Sequence, residues 1–109
     1  MGLTRTDVHN EQDIELAAVA KALAHPARIA ILRYLLSTSQ CITGELTDQI
    51  GLAQATISQH LKELKAVGII QGTISGTSTS YCINPAKWDA IGTTIAGLFA
   101  QFGEDRTCC

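Results

Sequence analysis

No run of apolar residues in this 109-residue chain approaches the roughly 20 needed to span a bilayer. The opening stretch, 1–13, is polar and lacks the apolar segment of a secretory signal. These absences lead to the expectation of a cytoplasmic protein with no membrane partner. Proline is scarce, at two residues, and charged residues make up only 17% of the chain. With 46% hydrophobic residues it is too apolar to be disordered throughout. A chain of this size buries about 65% of its unfolded surface, enough for one core without staples. Positive charge is not in excess either. The formal net charge is −2, so nucleic acid would have to be met by a local face, because phosphate contacts need cations.

Cysteine is present four times, as Cys41, Cys82, Cys108 and Cys109, but never as C-x-x-C. That spacing does not support a zinc ribbon or a thioredoxin-like motif. A reducing compartment disfavours structural disulfides. Soft-metal or redox chemistry, or burial as small hydrophobes, remains for the thiols. Enzyme chemistry finds no support: there is no phosphate-cradling glycine loop, no Ser/His/Asp or Cys/His set in motif context, and the carboxylates are scattered.

Residues 1–10 read as a polar arm and 103–109 as a cysteine-containing tail, with one domain, 11–102, between them. Ile14, Leu16, Ala17, Ala20 and Leu23 give a helical stripe over Glu11 to Leu23. His25-Pro26 reads as an N-cap followed by proline at the first helical position. Ile29, Leu32, Leu35 and Leu36 form the apolar face of that second helix. Thr43 is placed to cap a short third helix, Gly44 to Ile50, closed by Gly51. A fourth runs from Leu52 to Val67 with Ile57, Leu61 and Leu64 inward, and Gly68 ends it. The period then drops to two. Ile70, Gly72 and Ile74, then Thr79, Tyr81 and Ile83, alternate about a Ser75–Ser78 turn and predict a β-hairpin. A last helix, Ala86 to Phe102, presents Trp88, Ile91, Ile95, Leu98, Phe99 and Phe102. Its broad, charge-poor face predicts a homodimer interface shared with the first helix.

Four helices, a hairpin and a closing helix, with two of the helices separated by a tight turn, make a mainly α winged helix-turn-helix of order α-α-α-α-β-β-α. The fourth helix turns short polar side chains outward, of the kind that reach base edges in a major groove. Lys62 and Lys65 lie where phosphate would be. A solvated face of an ordinary helix would look the same from composition alone.

At these residues the chain resembles a known family. Leu23-Ala24-His25-Pro26-Ala27-Arg28-Ile29-Ala30-Ile31-Leu32 is similar to the L-x-x-P-x-R-x-x-I-L opening of the arsenic- and metal-responsive ArsR/SmtB winged-helix repressors. The segment Leu52 to Ile70, with Thr56-Ile57-Ser58-Gln59-His60-Leu61 at its centre, resembles their recognition helix position by position. The resemblance covers roughly Glu15 to Ile95. It implies a homodimer that binds double-stranded operator DNA and leaves it when a metal or metalloid binds. Gln54, Ala55, Thr56, Ser58, Gln59 and Lys62 are then the DNA-binding residues, with Ala55 set against a thymine methyl. His60 is read as a packed structural residue rather than a ligand. The chain departs from the pattern in two places. Ala53 supplies no N-cap oxygen, at a cost of about 0.5–2 kcal/mol, and the hairpin turn has no basic residue.

The resemblance implies no permanent cofactor and points to trivalent arsenic or antimony as the inducer. Such ions favour three thiolates, and the adjacent Cys108 and Cys109 offer two at high effective concentration. Cys41 is the third ligand, with Cys82 as its alternative. Cys41-Ile42-Thr43 keeps only the first thiol of the C-x-C found in some arsenic-responsive relatives, and Cys82 reads as a buried structural thiol. The last helix has Asp89 but no histidine, so a zinc site there is not supported. Two alternatives stay open. One is a thiol-redox or persulfide sensor of the same fold, in which Cys41 bridges to a C-terminal cysteine. The other is a winged-helix module used for protein contact alone.

Overall fold

The computed structural model describes residues 9–38, 41–43, 50–75 and 78–103. Helix α1 spans Glu11–Leu23, the bounds expected from the sequence, and starts where Asn10 Oδ1 accepts from the Asp13 N–H at 2.7 Å. Helix α2 spans Pro26–Leu36. The His25-Pro26 start is realised, with His25 Nδ1 accepting from the Ala27 N–H at 3.0 Å and Pro26 in the first turn, where no donor is missed. A two-residue strand β1, Ile42–Thr43, follows. Thr43 is the second residue of β1, and the third helix that it is expected to cap lies largely outside the described residues. Helix α3 spans Gln54–Ala66, strands β2 and β3 span Ile70–Ser75 and Ser78–Ile83, and α4 spans Pro85–Ala100. Asn84 caps α4 by accepting from the Lys87 N–H. Among the described residues no helix is long and apolar enough to cross a membrane.

The end of α3 shows why the chain turns where it does. Gly68 takes φ +84°, the Gly68 N–H donates to the Lys65 carbonyl, and the Ile69 N–H donates to the Leu64 carbonyl. This is a Schellman closure, which needs a residue without Cβ at its left-handed position. It delivers the chain directly into β2. The sheet is antiparallel with order β1-β3-β2, one strand more than the expected hairpin. Ile42 lies opposite Tyr81 on one side of β3, and Gly72 lies opposite Tyr81 on the other.

One core joins all layers: Val19 of α1, Ile31, Leu32 and Leu35 of α2, Ile57, Leu61 and Leu64 of α3, and Ile69, Ile70 and Tyr81 of the sheet. The inward residues expected for α3 are confirmed. Those of α1 and α2 are partly corrected. Val19 and Ala22 are the buried residues of α1, whereas Ala17 and Ala20 are exposed. In α2 the buried set is Ile31, Leu32 and Leu35, with Ile29 and Leu36 exposed. The stripes chosen from spacing were rotated relative to the core that a single chain builds. Helix α4 buries no residue fully, and Leu98, Phe99 and Phe102 stand 49%, 75% and 64% exposed. Trp88 and Ile91 are half-buried against the core. Lys87 of α4 also pairs with Glu15 of α1.

A polar tie fixes α3 against the two helices before it. Arg28 Nε donates to His60 Nδ1 at 3.1 Å, and Arg28 Nη1 donates to the Ala22 carbonyl at 3.2 Å. The His25 and His60 rings lie 4.5 Å apart between centroids. His60 is the one polar residue among the described buried ones. Its role is structural, as expected. An acceptor Nδ1 requires the neutral imidazole with its proton on Nε2. Burial first, then the neighbouring His25 and Arg28 charges, hold the His60 imidazole below its ordinary value of 6.5. At the other end of the core, burial and then Tyr34 push the Tyr81 phenol up to about 12, so it stays neutral.

Two outcomes follow from this packing. Gly72 has φ +128°, and a Cβ there would meet the Ser80 carbonyl oxygen at 1.9 Å. Gly72→Ala is expected to cost about 2–4 kcal/mol in urea unfolding; a loss within experimental error would contradict the β2–β3 geometry. For His60, the unfolded chain accepts a proton that the folded chain resists. Its contribution is therefore complete above 6.5 and is lost as pH falls from there toward the lowered folded value. Stability measured at about pH 7.5 and about pH 5.5 should drop more in the native chain than in His60→Gln. Equal slopes would show that His60 is not the group responsible.

Candidate nucleic-acid interface and thiol pair

Helix α3 begins without help from a side chain. Ala53 is its N-cap residue, in extended backbone, and makes no side-chain cap bond, as its sequence predicts. The helix is held instead by its inward face, where Ile57, His60, Leu61 and Leu64 are buried. This places the remaining positions outside at helical spacing. Of the residues expected to meet DNA, Ala55, Thr56, Gln59 and Lys62 are exposed. Gln54 and Ser58 are half-buried and act as a pair, with Gln54 Nε2 donating to Ser58 Oγ at 3.2 Å. That leaves the Ser58 hydroxyl proton free to donate outward. Gln54 Oε1 is buried and has no partner among the described residues.

Two further residues shape this face. Glu63 accepts from Gln59 Nε2 at 3.2 Å, so the Gln59 amide is held along the helix. Spacing of four along a helix was the signal that could have revealed it. Lys65 donates to the Gly72 carbonyl of β2 and so is spent on joining helix to sheet rather than on phosphate. Among the described residues Lys62, the other lysine expected at phosphate, has no protein partner.

The cysteines give a second constellation. Cys41 and Cys82 are joined by a disulfide with Cα atoms 4.4 Å apart. The β1–β3 register explains it. One step back from the Ile42–Tyr81 pair sets Cys41 directly opposite Cys82, at the close spacing of a non-hydrogen-bonded antiparallel pair. On the other side of β3, Gln71 is opposite Cys82, and its amide Nε2 lies 4.0 Å from Cys82 Sγ. Cys41, Cys82 and Gln71 thus form a row across the sheet. Cys82 is half-exposed and bonded, not the buried structural thiol expected of it. The bridge from Cys41 goes to Cys82 rather than to the tail. Cys108 and Cys109 lie outside the described residues. The pair opens on a cleft of about 350 Å³ whose walls include Leu35, Leu36, Ile83 and Pro85. Among the described residues no group of three or more His, Cys, Asp or Glu side chains is arranged to hold a metal ion.

Comparison with known proteins agrees with the fold. The model of a family described as "Helix-turn-helix domain" matches residues 23–73. The chain is 44% identical over 61 residues to the HTH-type transcriptional repressor SmtB of Mycobacterium tuberculosis, a match that covers 56% of this chain and 44% of that repressor. The chain thus spans less than half the length of that relative. It is 32% identical over 85 residues to the HTH-type transcriptional regulator YgaV of Escherichia coli, covering 78% of this chain and 86% of the regulator. The fold is shared with the homodimeric winged helix-turn-helix DNA-binding domain of a Mycobacterium bovis regulator, with TM-score 0.63, 22% identity, and coverage of 100% of this chain and 97% of that one. The recognition-helix segment, the winged sheet and the extent of the match to the Escherichia coli regulator place the chain in one group: it belongs to the ArsR/SmtB family of winged helix-turn-helix transcriptional regulators, DNA-binding proteins rather than enzymes.

Proposed function

We propose that this chain is a homodimeric repressor that grips operator DNA through α3 and releases it when the chemistry of its thiols changes. One observation supports the reading: Cys41, next to β1, is bonded to Cys82 of β3, the strand paired with the one that α3 enters. Helix α3 runs through Gly68 into β2, β2 is paired along its length with β3, and Lys65 ties the helix to Gly72. A change at Cys82 therefore acts on the strand next to the one that α3 enters. In the reduced state two thiolates lie side by side, a donor set suited to trivalent arsenic or antimony, with Cys108 or Cys109 as the third ligand. The inducer is a cargo bound and released, not a resident cofactor.

The bond itself favours a second reading, in which oxidation of the Cys41–Cys82 pair is the signal. The dimer is supported by exposed Leu98 and Phe99 of α4 and Phe102 just beyond it, which together call for a cover, and by the homodimeric state of the Mycobacterium bovis domain. Helices α1 and α4 form the interface in this reading. DNA and inducer favour different dimer geometries, and their coupling is reciprocal.

Fluorescence anisotropy on the DNA upstream of the chain's own coding sequence tests this. The reduced protein should bind at low salt. Gln59→Ala or Ser58→Ala should weaken binding by about 5- to 100-fold, and Lys62→Ala should lower the salt slope by about one. Arsenite or antimonite under reducing conditions should weaken binding at least about tenfold. Release by oxidant, reversed by reductant and insensitive to arsenite, would select the redox reading. Failure to bind at low salt would favour a protein-contact module. Unchanged behaviour of a Cys41→Ser/Cys82→Ser variant toward both effectors would remove the pair from the mechanism.

A further inference from the structure

The Arg28–His60 contact joins three helices at one point, and its chemistry works in only one protonation state. We infer that His60 is a proton-operated positioning residue: its neutral ring holds α3 in the DNA-binding orientation, and its protonation releases that hold and weakens DNA binding while the domain stays folded. This rests on the reading of α3 as the helix that grips DNA.

The tie depends on one lone pair. Arg28 Nε donates to His60 Nδ1 at 3.1 Å, and Arg28 Nη1 donates to the carbonyl of Ala22, near the end of α1, at 3.2 Å. A single guanidinium thus links α1, α2 and α3. A guanidinium has donors only and keeps its charge throughout the range in which histidine titrates. A protonated imidazole also has donors only. A proton on Nδ1 therefore deletes the acceptor and sets two cations at hydrogen-bond distance. His60 is buried, so salt and water screen that repulsion poorly.

The surroundings favour the neutral ring as well. The His25 ring lies 4.5 Å away between centroids, and its own Nδ1 accepts from the Ala27 N–H as the cap of α2. Lys21 of α1 and Glu63 of α3 line the same cleft as His25 and Arg28. Glu63 is the one carboxylate among these described groups; it is exposed and accepts from Gln59 Nε2. Burial, then the His25 and Arg28 charges, hold the His60 imidazole below 6.5. The tie is therefore made at neutral pH and opens as pH falls below that value.

What opens is direction rather than the fold. Ile57, Leu61 and Leu64 keep their apolar contacts whatever the pH. Ser58, Gln59 and Lys62 share the helix with His60, so a shift of α3 moves them together. The sign of the effect makes it recognisable. An added positive charge alone would strengthen phosphate contacts. Weaker binding on acidification therefore reports the setting of the helix and not its charge.

The test uses the full chain, kept in a phosphine reductant at constant ionic strength, at about pH 7.5 and about pH 5. Anisotropy on the DNA upstream of the coding sequence gives the affinity. Nitrogen-15 NMR without DNA follows the Arg28 Nε–H and the His60 ring nitrogens, and circular dichroism follows the fold. The native chain should lose at least about fivefold in affinity at the lower pH. The Arg28 Nε–H signal and the His60 Nδ1 shift should change over the same range, with the dichroism unaltered. In His60→Asn, Oδ1 stands where Nδ1 stood and does not titrate, so the ratio of the two affinities should stay close to one. That ratio is taken within one protein, so a weaker variant still decides the point. His25→Asn, which keeps a capping oxygen, should retain the native loss. Equal or tighter binding at the lower pH, a parallel loss in His60→Asn, or an Arg28 signal that persists until the chain unfolds would overturn the inference. Absence of DNA binding at both pH values, together with the NMR transition, would sink the repressor reading and leave the proton-operated tie standing.

Discussion

The inward face of α3 is the constraint on which the rest depends. Ile57, Leu61 and Leu64 bury themselves against α2 and the sheet, and this alone decides which residues look outward. Burial of three such side chains is worth about 5–9 kcal/mol in area terms, before the entropy of ordering them is set against it. The polar tie through Arg28 and His60 adds direction to that adhesive but unoriented contact. A hydrophobic face permits some sliding; a hydrogen bond from a guanidinium that also holds the end of α1 does not. The outward face of α3 is thus set by residues that never reach the surface.

The sheet is small, yet it has three separate duties. It closes the core through Ile69, Ile70 and Tyr81. It receives α3 through the Gly68 closure and the Lys65 bond. It also holds the thiols in a row with Gln71. Because these duties share β2 and β3, a change at Cys82 would be made on the strand paired with the one that receives α3. Gly72 lies where they meet: its missing side chain lets the backbone of β2 approach β3 closely enough to form the ladder.

Much of this was legible in the residues, and what was not follows a pattern. Helix bounds were readable because their signals are local: His25-Pro26 at one start, Gly68 at one end, Asn84-Pro85 after the hairpin. The α3 core face was readable because its spacing is clean. The faces of α1 and α2 were misjudged at Ala17, Ala20, Ile29 and Leu36, because apolar residues surround much of both helices and spacing does not say which side meets the core. Strand β1 was missed because two residues show no alternation; their pairing with β3 is a long-range event. That omission concealed the partner of Cys41, since only the register of β1 puts Cys82 opposite it. The positions expected to face DNA follow from the family pattern, and the structure adds the Gln54–Ser58 and Gln59–Glu63 pairings among them.

Ala53 has one consequence for a chain with so little positive charge. Among the described residues no side-chain oxygen caps the first turn of α3, at the positive end of its peptide dipoles. Backbone amides do not titrate and do not depend on lysine. In the proposed complex a phosphate group docked at that end would supply the missing cap, so DNA would complete the helix proposed to read it. Recognition and the last step of ordering the helix would then be a single event.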